Sequence, residues 1–396
     1  MNDEEYYAKR KSRSVPKELA FTEVEFRQRL DAVRKVMDKK GLDALLITHY
    51  PNVGYLSGLQ TFGSGWYMCM LVPREGEPVL HIGHLEFANA LLTSWVADIR
   101  GVRWAAGGEA EGFVEIVKER KLEEKRIGLE LGRSGLSLRF FEGLKRGLPN
   151  ATFIDASDVV VEPRMIKSPA ELGYMRQAAA ITKKGLDAAL SVTRAGVTDN
   201  KIAATLSETL IREGSEFFSM QPSVATGHRS GIVHATYKRT ALKQGDTVIL
   251  EFGAAYERYS SAIYHTIAIG QPSPDVVKQA AVLNDALAVL FGAVRPGRTV
   301  HDVAREVSVA LEELWPEPAV YGYSIGSGAP PTWCEDSCYI REGVELELKP
   351  GMTFHSPIGE LIPGAPGVGF SETWAVTETG CEVLTKHDTN LTVVDA

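Results

Sequence analysis

The hydrophobic positions of the first part of the chain switch between helical spacing and short buried runs. Over residues 22–40 the apolar side chains fall mostly three or four positions apart, which predicts an amphipathic helix, and Gly41 is placed to end it. The apolar run at 44–48 then predicts a strand. The same order of helix and strand recurs over 110–130 and over 137–155. This alternation predicts an α/β domain.

Longer helices and then strands characterise the second part of the chain. Ser168, Pro169 and Glu171 have the residue types of a helix start, with Ser168 as N-cap and Glu171 as its capping-box partner. Mixed helices and strands predict an α+β domain. The predicted helices cover 168–192, 199–213, 274–294 and 300–314, and the predicted strands cover 246–252, 259–269, 352–355 and 373–377. We predict a flexible arm over 1–20, an N-terminal domain over 21–160 and a catalytic domain over 161–396.

Composition narrows the class of protein further. Charged residues make up 24% of the chain, which excludes wholesale disorder, and the net charge of −8 argues against nucleic acid as a partner. The N-terminus has no apolar signal region, and no run of about 18 apolar residues predicts a membrane span. We therefore expect a cytoplasmic protein that does not bind membranes. The spacing of Cys69, Cys334, Cys338 and Cys381 predicts reduced thiols and neither a zinc site nor a disulfide framework.

Four short motifs in the second half resemble the creatinase/prolidase family, which has the pita-bread fold. They are MIKSPAE at 165–171, GHRSGIVH at 227–234, LKQGD at 242–246 and LKPGM at 348–352. The resemblance covers nearly the whole chain. It implies a small α/β N-terminal domain, an α+β pita-bread catalytic domain and a homodimer.

The metal-binding positions of that family are changed in this chain. The metallopeptidase branch holds two divalent ions with Asp, Asp, His, Glu and Glu, residue types that suit such ions. The corresponding positions carry Glu251, Ala262, Tyr323, Ser356 and Ser371. One good ligand out of these five positions predicts a site without a metal ion or other cofactor.

The ectoine hydrolase branch of the family resembles this chain most. It shares Glu at 251, Tyr at 323 with the following PPTW, the run ELKPGMTFH that ends at His355, and the pattern around Glu372. The resemblance implies metal-independent hydrolysis of a non-peptide C–N bond in a small cationic or zwitterionic compound, through opening of a cyclic amidine. The loop that contains Phe62 and Trp66 differs from that branch.

Each candidate residue has a chemical role that its type can fill. Glu251 ends an apolar run, where desolvation raises a carboxyl pKa, and we expect it to be the nucleophile or general base. We expect His234 to shuttle protons. Aromatic side chains suit a cationic ring. The family resemblance implies that the partner subunit donates its Phe62 and Trp66 across the dimer interface. The expected substrate-binding residues are Phe62, Trp66, Tyr264, Tyr323, Trp333, His355 and Glu372.

Three alternatives remain open from the sequence. A creatinase-like amidinohydrolase is one, although Tyr264 and Ser64 stand where creatinases have Glu and Arg. A lyase or isomerase on the same scaffold is the second, because a glutamate base can abstract a proton as well as direct water. The third is a non-catalytic binding protein derived from a metallopeptidase.

Overall fold

The N-terminal unit is an α/β domain built on one sheet. The computed structural model describes residues 3–13, 15–102, 108–317 and 319–395, and the chain divides into the units Met1–Arg164 and Met165–Ala396. In the first unit the helices are α1 (Asp3–Lys11), α2 (Glu23–Lys40), α3 (Tyr50–Ser57), α4 (Phe87–Thr93), α5 (Glu109–Glu119), α6 (Leu138–Gly147) and α7 (Val161–Arg164). The strands are β1 (Ala44–Ile47), β2 (Met68–Pro73), β3 (Val79–Gly83), β4 (Asp98–Val102), β5 (Arg126–Leu129) and β6 (Thr152–Asp155), in the sheet order β4-β3-β2-β1-β5-β6.

Local sequence signals explain how this unit begins. The Thr22 side chain accepts a hydrogen bond from the Glu25 backbone N–H at the start of α2, and Gly41 ends the helix with a φ of 63°. Strand β1 is buried along its whole length because it lies inside the sheet, antiparallel to β2 and parallel to β5. The structure differs from the arm predicted for 1–20. That segment includes α1, whose Tyr7 is buried and packs on Phe87 with ring centroids 4.7 Å apart.

The C-terminal unit combines paired helices with mixed strands, as the sequence predicts. Its helices are α8 (Pro169–Val192), α9 (Asp199–Arg212), α10 (Pro274–Ala293) and α11 (Val300–Leu311). Its strands are β7 (Ser223–Thr226), β8 (Thr247–Tyr256), β9 (Tyr259–Ile269), β10 (Tyr323–Ala329), β11 (Thr332–Tyr339), β12 (Thr353–His355), β13 (Ile358–Glu360), β14 (Val368–Phe370), β15 (Thr373–Val376), β16 (Cys381–Val383) and β17 (Thr392–Val394). They form the sheets β17-β9-β8-β7 and β11-β10-β12-β15-β16 and the hairpin β13-β14.

Each helix pair of this unit covers its own apolar core. Helix α8 begins with the predicted capping box of Ser168 and Glu171, and with α9 it buries the inner faces of β8 and β9. Helices α10 and α11 pack against β12, β14 and β15. By length and composition alone α10 is apolar enough to cross a membrane. Its buried residues, which include Leu283, Leu287 and Leu290, recur three or four positions apart in the second core, which is how a core helix packs.

Candidate active site

Glu251 lies in the middle of β8 and points from the sheet into a cavity. It is paired with Ser223 on β7 and with Tyr264 on β9. Side chains alternate along a strand, so Ile249 and Ala225 share its face of the sheet. The cavity has a volume of about 200 Å³. Its lining residues are Ser223, Ala225, Ile232, Val233, His234, Ile249, Glu251, Tyr264, Trp315, Tyr323, Pro357, Gly359 and Leu361.

The Glu251 carboxyl group is desolvated and has no polar partner among the residues that the structure describes. Burial raises its pKa from 4.5 to about 7, because no donor or cation offsets the loss of hydration. The group therefore exchanges its proton near neutral pH. A carboxyl of this kind can serve as a general base or as a nucleophile at the pH of a cell.

Tyr264 stands directly across the β8–β9 ladder from Glu251. Its hydroxyl is buried without a hydrogen-bond partner in the described part of the chain. Burial and the Glu251 charge both raise the pKa of this phenol, so it stays protonated. The ring packs over Gly359 and Gly369 of the β13–β14 hairpin, where a Cβ on Gly369 would collide with it. His265, the next residue, faces the other way and contacts Thr392 at 2.8 Å.

Tyr323 belongs to a chain of hydrogen bonds that runs behind the cavity. Its hydroxyl accepts from Trp333 Nε1 at 2.9 Å and lies 3.0 Å from His355 Nδ1. His355 Nε2 lies 2.7 Å from Ser371 Oγ, which accepts from the Tyr264 backbone N–H at 2.6 Å. Burial lowers the pKa of His355 to about 3, so the imidazole is neutral. A neutral imidazole offers one donor and one acceptor.

One tautomer of His355 leaves the Tyr323 hydrogen for the cavity. In that tautomer the Ser371 hydroxyl, which accepts from the Tyr264 backbone N–H, donates to His355 Nε2. His355 Nδ1 then carries the proton and donates to Tyr323. Because Trp333 donates to the same oxygen, both acceptor positions of the Tyr323 hydroxyl are occupied. Its hydrogen is then available to donate to a ligand. Burial and the Glu251 charge raise the pKa of Tyr323, which keeps that hydrogen in place.

His234 lies at the exposed rim of the same cavity. Two anchors hold its loop: Arg229 forms an ion pair with buried Asp199 at 2.7 Å, and Ser230 Oγ lies 2.7 Å from Thr247 Oγ1. The His234 backbone has a φ of 57°, in the left-handed region that residues other than glycine rarely occupy. Such conformations persist where the surrounding structure enforces them, and they concentrate at functional sites.

The residues present do not fit the two metal ions of the family's peptidase branch. Tyr323 and Ser371 are committed to the hydrogen-bond chain with His355, and Ser356 Oγ accepts from Trp374 Nε1 at 2.9 Å. Ala262 offers no ligand atom in its side chain. Across the part of the chain that the structure describes, no group of three or more His, Cys, Asp or Glu side chains is placed to hold a metal ion.

Three residues predicted to bind substrate lie away from the cavity surface. Trp333 and His355 are buried behind Tyr323 and position it. The Glu372 carboxylate points in another direction and accepts hydrogen bonds from Thr385 at 2.6 Å and from the His387 backbone at 3.0 Å. None of these three side chains is among the residues that line the cavity, so their direct contact with a substrate stays a prediction.

Phe62 and Trp66 belong to the N-terminal unit, where both side chains are exposed. Phe62 is 87% exposed and Trp66 is 47% exposed. A contiguous exposed apolar patch is one of the features that mark protein–protein contact sites. The prediction that a partner subunit receives them stays a prediction.

Trp315 is a lining residue that the sequence did not single out. It follows the end of α11, and its ring stacks on Tyr321 with centroids 6.1 Å apart. Its indole N–H donates to Glu360 Oε2 at 2.6 Å. Neither the spacing of Trp315 nor its neighbours in the chain distinguishes it from a core tryptophan, so the sequence carried no signal for it.

Comparison with known proteins identifies the family. Residues 173–378 match metallopeptidase family M24, and residues 29–166 match the creatinase/prolidase N-terminal domain. The chain belongs to this family of hydrolases, and its fold is the pita-bread fold with a creatinase-type N-terminal domain.

The names of its relatives state different functions. An uncharacterized hydrolase/peptidase, y4tL, of Sinorhizobium fredii is 31% identical over 94% of this chain and 98% of its own length. The ectoine hydrolase of Halomonas elongata is 28% identical, over 92% of this chain and 96% of its own. The crystal structure of a dipeptidase from Pyrococcus horikoshii is 26% identical, with a TM-score of 0.80, over 92% of this chain and 100% of that one.

Proposed function

We propose that the chain is a metal-independent hydrolase that opens a cyclic amidine, or cleaves a related non-peptide C–N bond, in a small cationic or zwitterionic compound. The observation that carries the proposal is Glu251, an unpartnered carboxyl with a pKa of about 7 at the wall of a 200 Å³ cavity. Likeness to the ectoine hydrolase of Halomonas elongata supports the substrate class.

In the proposed reaction Glu251 and His234 move the protons. Ionised Glu251 takes a proton from water, and the resulting hydroxide adds to the amidine carbon. The C–N bond of the tetrahedral intermediate then breaks, and the proton from Glu251 passes through His234 to the leaving nitrogen. Tyr323 donates a hydrogen bond to the reacting group. Alternatively, Glu251 attacks the amidine carbon itself, the same C–N bond breaks, and water then cleaves the covalent adduct. Mass spectrometry of the trapped enzyme would detect this adduct.

The lining of the cavity disfavours a dipeptide as substrate. A dipeptide brings a carboxylate group, and the described lining residues include Glu251 but no Lys or Arg. Like charges in a desolvated site repel each other strongly. A compact cation meets the opposite situation, because ionised Glu251 and the aromatic rings of Tyr264, Trp315 and Tyr323 all attract positive charge.

Turnover by the purified protein tests the proposal. Ectoine, 5-hydroxyectoine, creatine and an Xaa-Pro dipeptide are incubated with wild type and with Glu251→Gln, each with and without EDTA, and products are read by mass spectrometry. We expect wild type to form a ring-opened product that is heavier than the substrate by one water. EDTA should not change the amount of this product, and Glu251→Gln should not form it. Loss of activity in EDTA, or cleavage of the dipeptide, would contradict the proposal. Urea from creatine would favour an amidinohydrolase, and binding of every compound without turnover would favour a binding protein.

We also propose that the protein is a homodimer in which Phe62 and Trp66 of one subunit complete the site of the other. Their exposure supports this arrangement. Light scattering after size exclusion should give the mass of a dimer, and Phe62→Ser with Trp66→Ser should lower turnover. A monomer with full activity would contradict the shared site.

A further inference from the structure

Trp315 is held in one orientation by two contacts on different parts of its ring. The indole N–H donates to Glu360 Oε2 at 2.6 Å, and one face stacks on Tyr321 at an interplanar angle of 15°. The opposite face is the surface that the ring can offer to the cavity, which it lines. An indole fixed on two sides needs little reordering when a ligand arrives, so its contact with a ligand is preorganised.

Glu360 also changes what kind of ligand the indole favours. It lies between Gly359 and Leu361, which line the cavity, and it points away from the cavity to reach the indole nitrogen. A carboxylate that accepts from the indole N–H pushes electron density into the ring and adds negative potential at the edge of the ring. Because a cation is attracted to the negative face of an aromatic ring, both effects strengthen cation–π attraction and neither helps a neutral ligand.

We infer that Trp315 is the cation-recognising wall of the cavity and that Glu360 is the positioning residue that makes this wall selective for charge. This inference rests on the proposed function for the identity of the reacting compound. It adds which feature of that compound the site recognises. The feature is a compact, delocalised or alkylated cation that lies flat against the indole. Glu251, on the β8 wall of the cavity, then meets the reacting carbon while Trp315 holds the charge.

A matched pair of probes separates charge from shape. Choline and 3,3-dimethylbutan-1-ol have nearly the same shape and differ in the positive charge. Their dissociation constants are measured by calorimetry on the full chain in the Glu251→Gln background, which removes the carboxylate charge of the β8 wall. We expect choline to bind more tightly than the alcohol by about twofold to thirtyfold, the range of cation–π attraction.

Three variants in that background assign the preference to its residues. Trp315→Leu should abolish the preference for choline while changing the affinity for the alcohol by about twofold or less. Trp315→Phe keeps an aromatic face and should retain part of the preference, which guards against misfolding as the explanation. Glu360→Gln keeps a hydrogen-bond acceptor but removes the charge, and it should lower the choline-to-alcohol ratio without affecting the alcohol.

The results distinguish this inference from the proposed function. Equal affinities for the two probes, or equal losses for both in Trp315→Leu, would overturn the inference, because Trp315 would then act as plain apolar surface. A clear charge preference that depends on Trp315 and Glu360 would support it even if wild type hydrolysed no amidine. That second result would overturn the proposed reaction alone.

Discussion

Glu251 and Tyr264 face each other across the β8–β9 ladder, where the Tyr264 hydroxyl is buried with no hydrogen-bond partner among the described residues and the Glu251 carboxyl is desolvated. Leaving a buried polar group unsatisfied costs about 1–3 kcal/mol. A fold tolerates such a cost where a ligand later supplies the missing partner. The free-energy cost of this unsatisfied group, as well as its position, therefore identifies the reactive part of the cavity.

Replacing Glu251 should stabilise the protein above neutral pH. The native state holds the proton more tightly than the unfolded state, since its pKa is about 7 against 4.5, so stability is full below pH 4.5 and falls as the pH rises to about 7. Glu251→Gln removes this loss and should raise the free energy of unfolding at pH 8 by up to about 3 kcal/mol, with little change at pH 4. Urea unfolding at both pH values measures the difference in free energy of unfolding between the variant and wild type.

The exposed residue Glu378 provides the control for that measurement. Glu378→Gln should leave the difference between pH 4 and pH 8 unchanged. If Glu251→Gln were no more stable than wild type at pH 8, the carboxyl would not be desolvated in the way that the structure shows.

The rate of the proposed reaction should follow the ionisation of the same carboxyl. Glu251 acts in its deprotonated form, so kcat/KM should rise with pH, reach half of its maximum near pH 7 and level off above that value. Below the midpoint the rate should fall about tenfold per pH unit. Initial rates between pH 5 and pH 9 on the best amidine substrate test this, and a flat profile would rule out Glu251 as the titrating base.

Much of the framework could be predicted from the chain. The capping box at Ser168 and the apolar run before Glu251 are local signals, and local signals survive folding because their partners are near in sequence. Alternation along β9 also means that only one of Tyr264 and His265 can face the cavity. The structure gives that place to Tyr264.

Other parts of the site depend on contacts between distant segments. Trp315 and Glu360 come together only when the segment after α11 meets the β13–β14 hairpin. Glu372 lies beside Ser371, and only the pairing of β12 with β15 and the bond from His355 show which of the two faces inward. Helix α1 was missed because its burial depends on Phe87, far along the chain. No periodicity within one segment contains this information.

Removing the Tyr323 hydroxyl should slow the reaction, and it should also cost about 1–3 kcal/mol of stability because buried Trp333 Nε1 loses its acceptor. Tyr323→Phe keeps the ring against His355 but removes the hydroxyl group that is proposed to donate to the reacting group. Loss of one preorganised donor typically lowers kcat by about 10²-fold to 10³-fold. Steady-state kinetics measure this effect, with Tyr339→Phe on β11 as the control of the same residue type. An unchanged kcat would show that the Tyr323 hydrogen does not act on the reacting group.

The β13–β14 hairpin should be intolerant of a side chain at Gly369. The Tyr264 ring lies where a Cβ on Gly369 would have to be, and it lies 3.2 Å from the position that a Cβ on Gly359 would take. Gly369→Ala should therefore displace the phenol from Glu251, lower turnover and destabilise the unit, because an overpacked core typically costs about 1–3 kcal/mol. Gly173→Ala in α8 is the matched control: no atom lies within 4 Å of the position that the added methyl group would take, and helix propensity should make the change neutral or stabilising by ~0.5–1 kcal/mol. The melting temperature and the turnover of both variants test this prediction. If the two variants had equal melting temperatures and equal turnover, the tight contact between Tyr264 and the hairpin would not position the phenol.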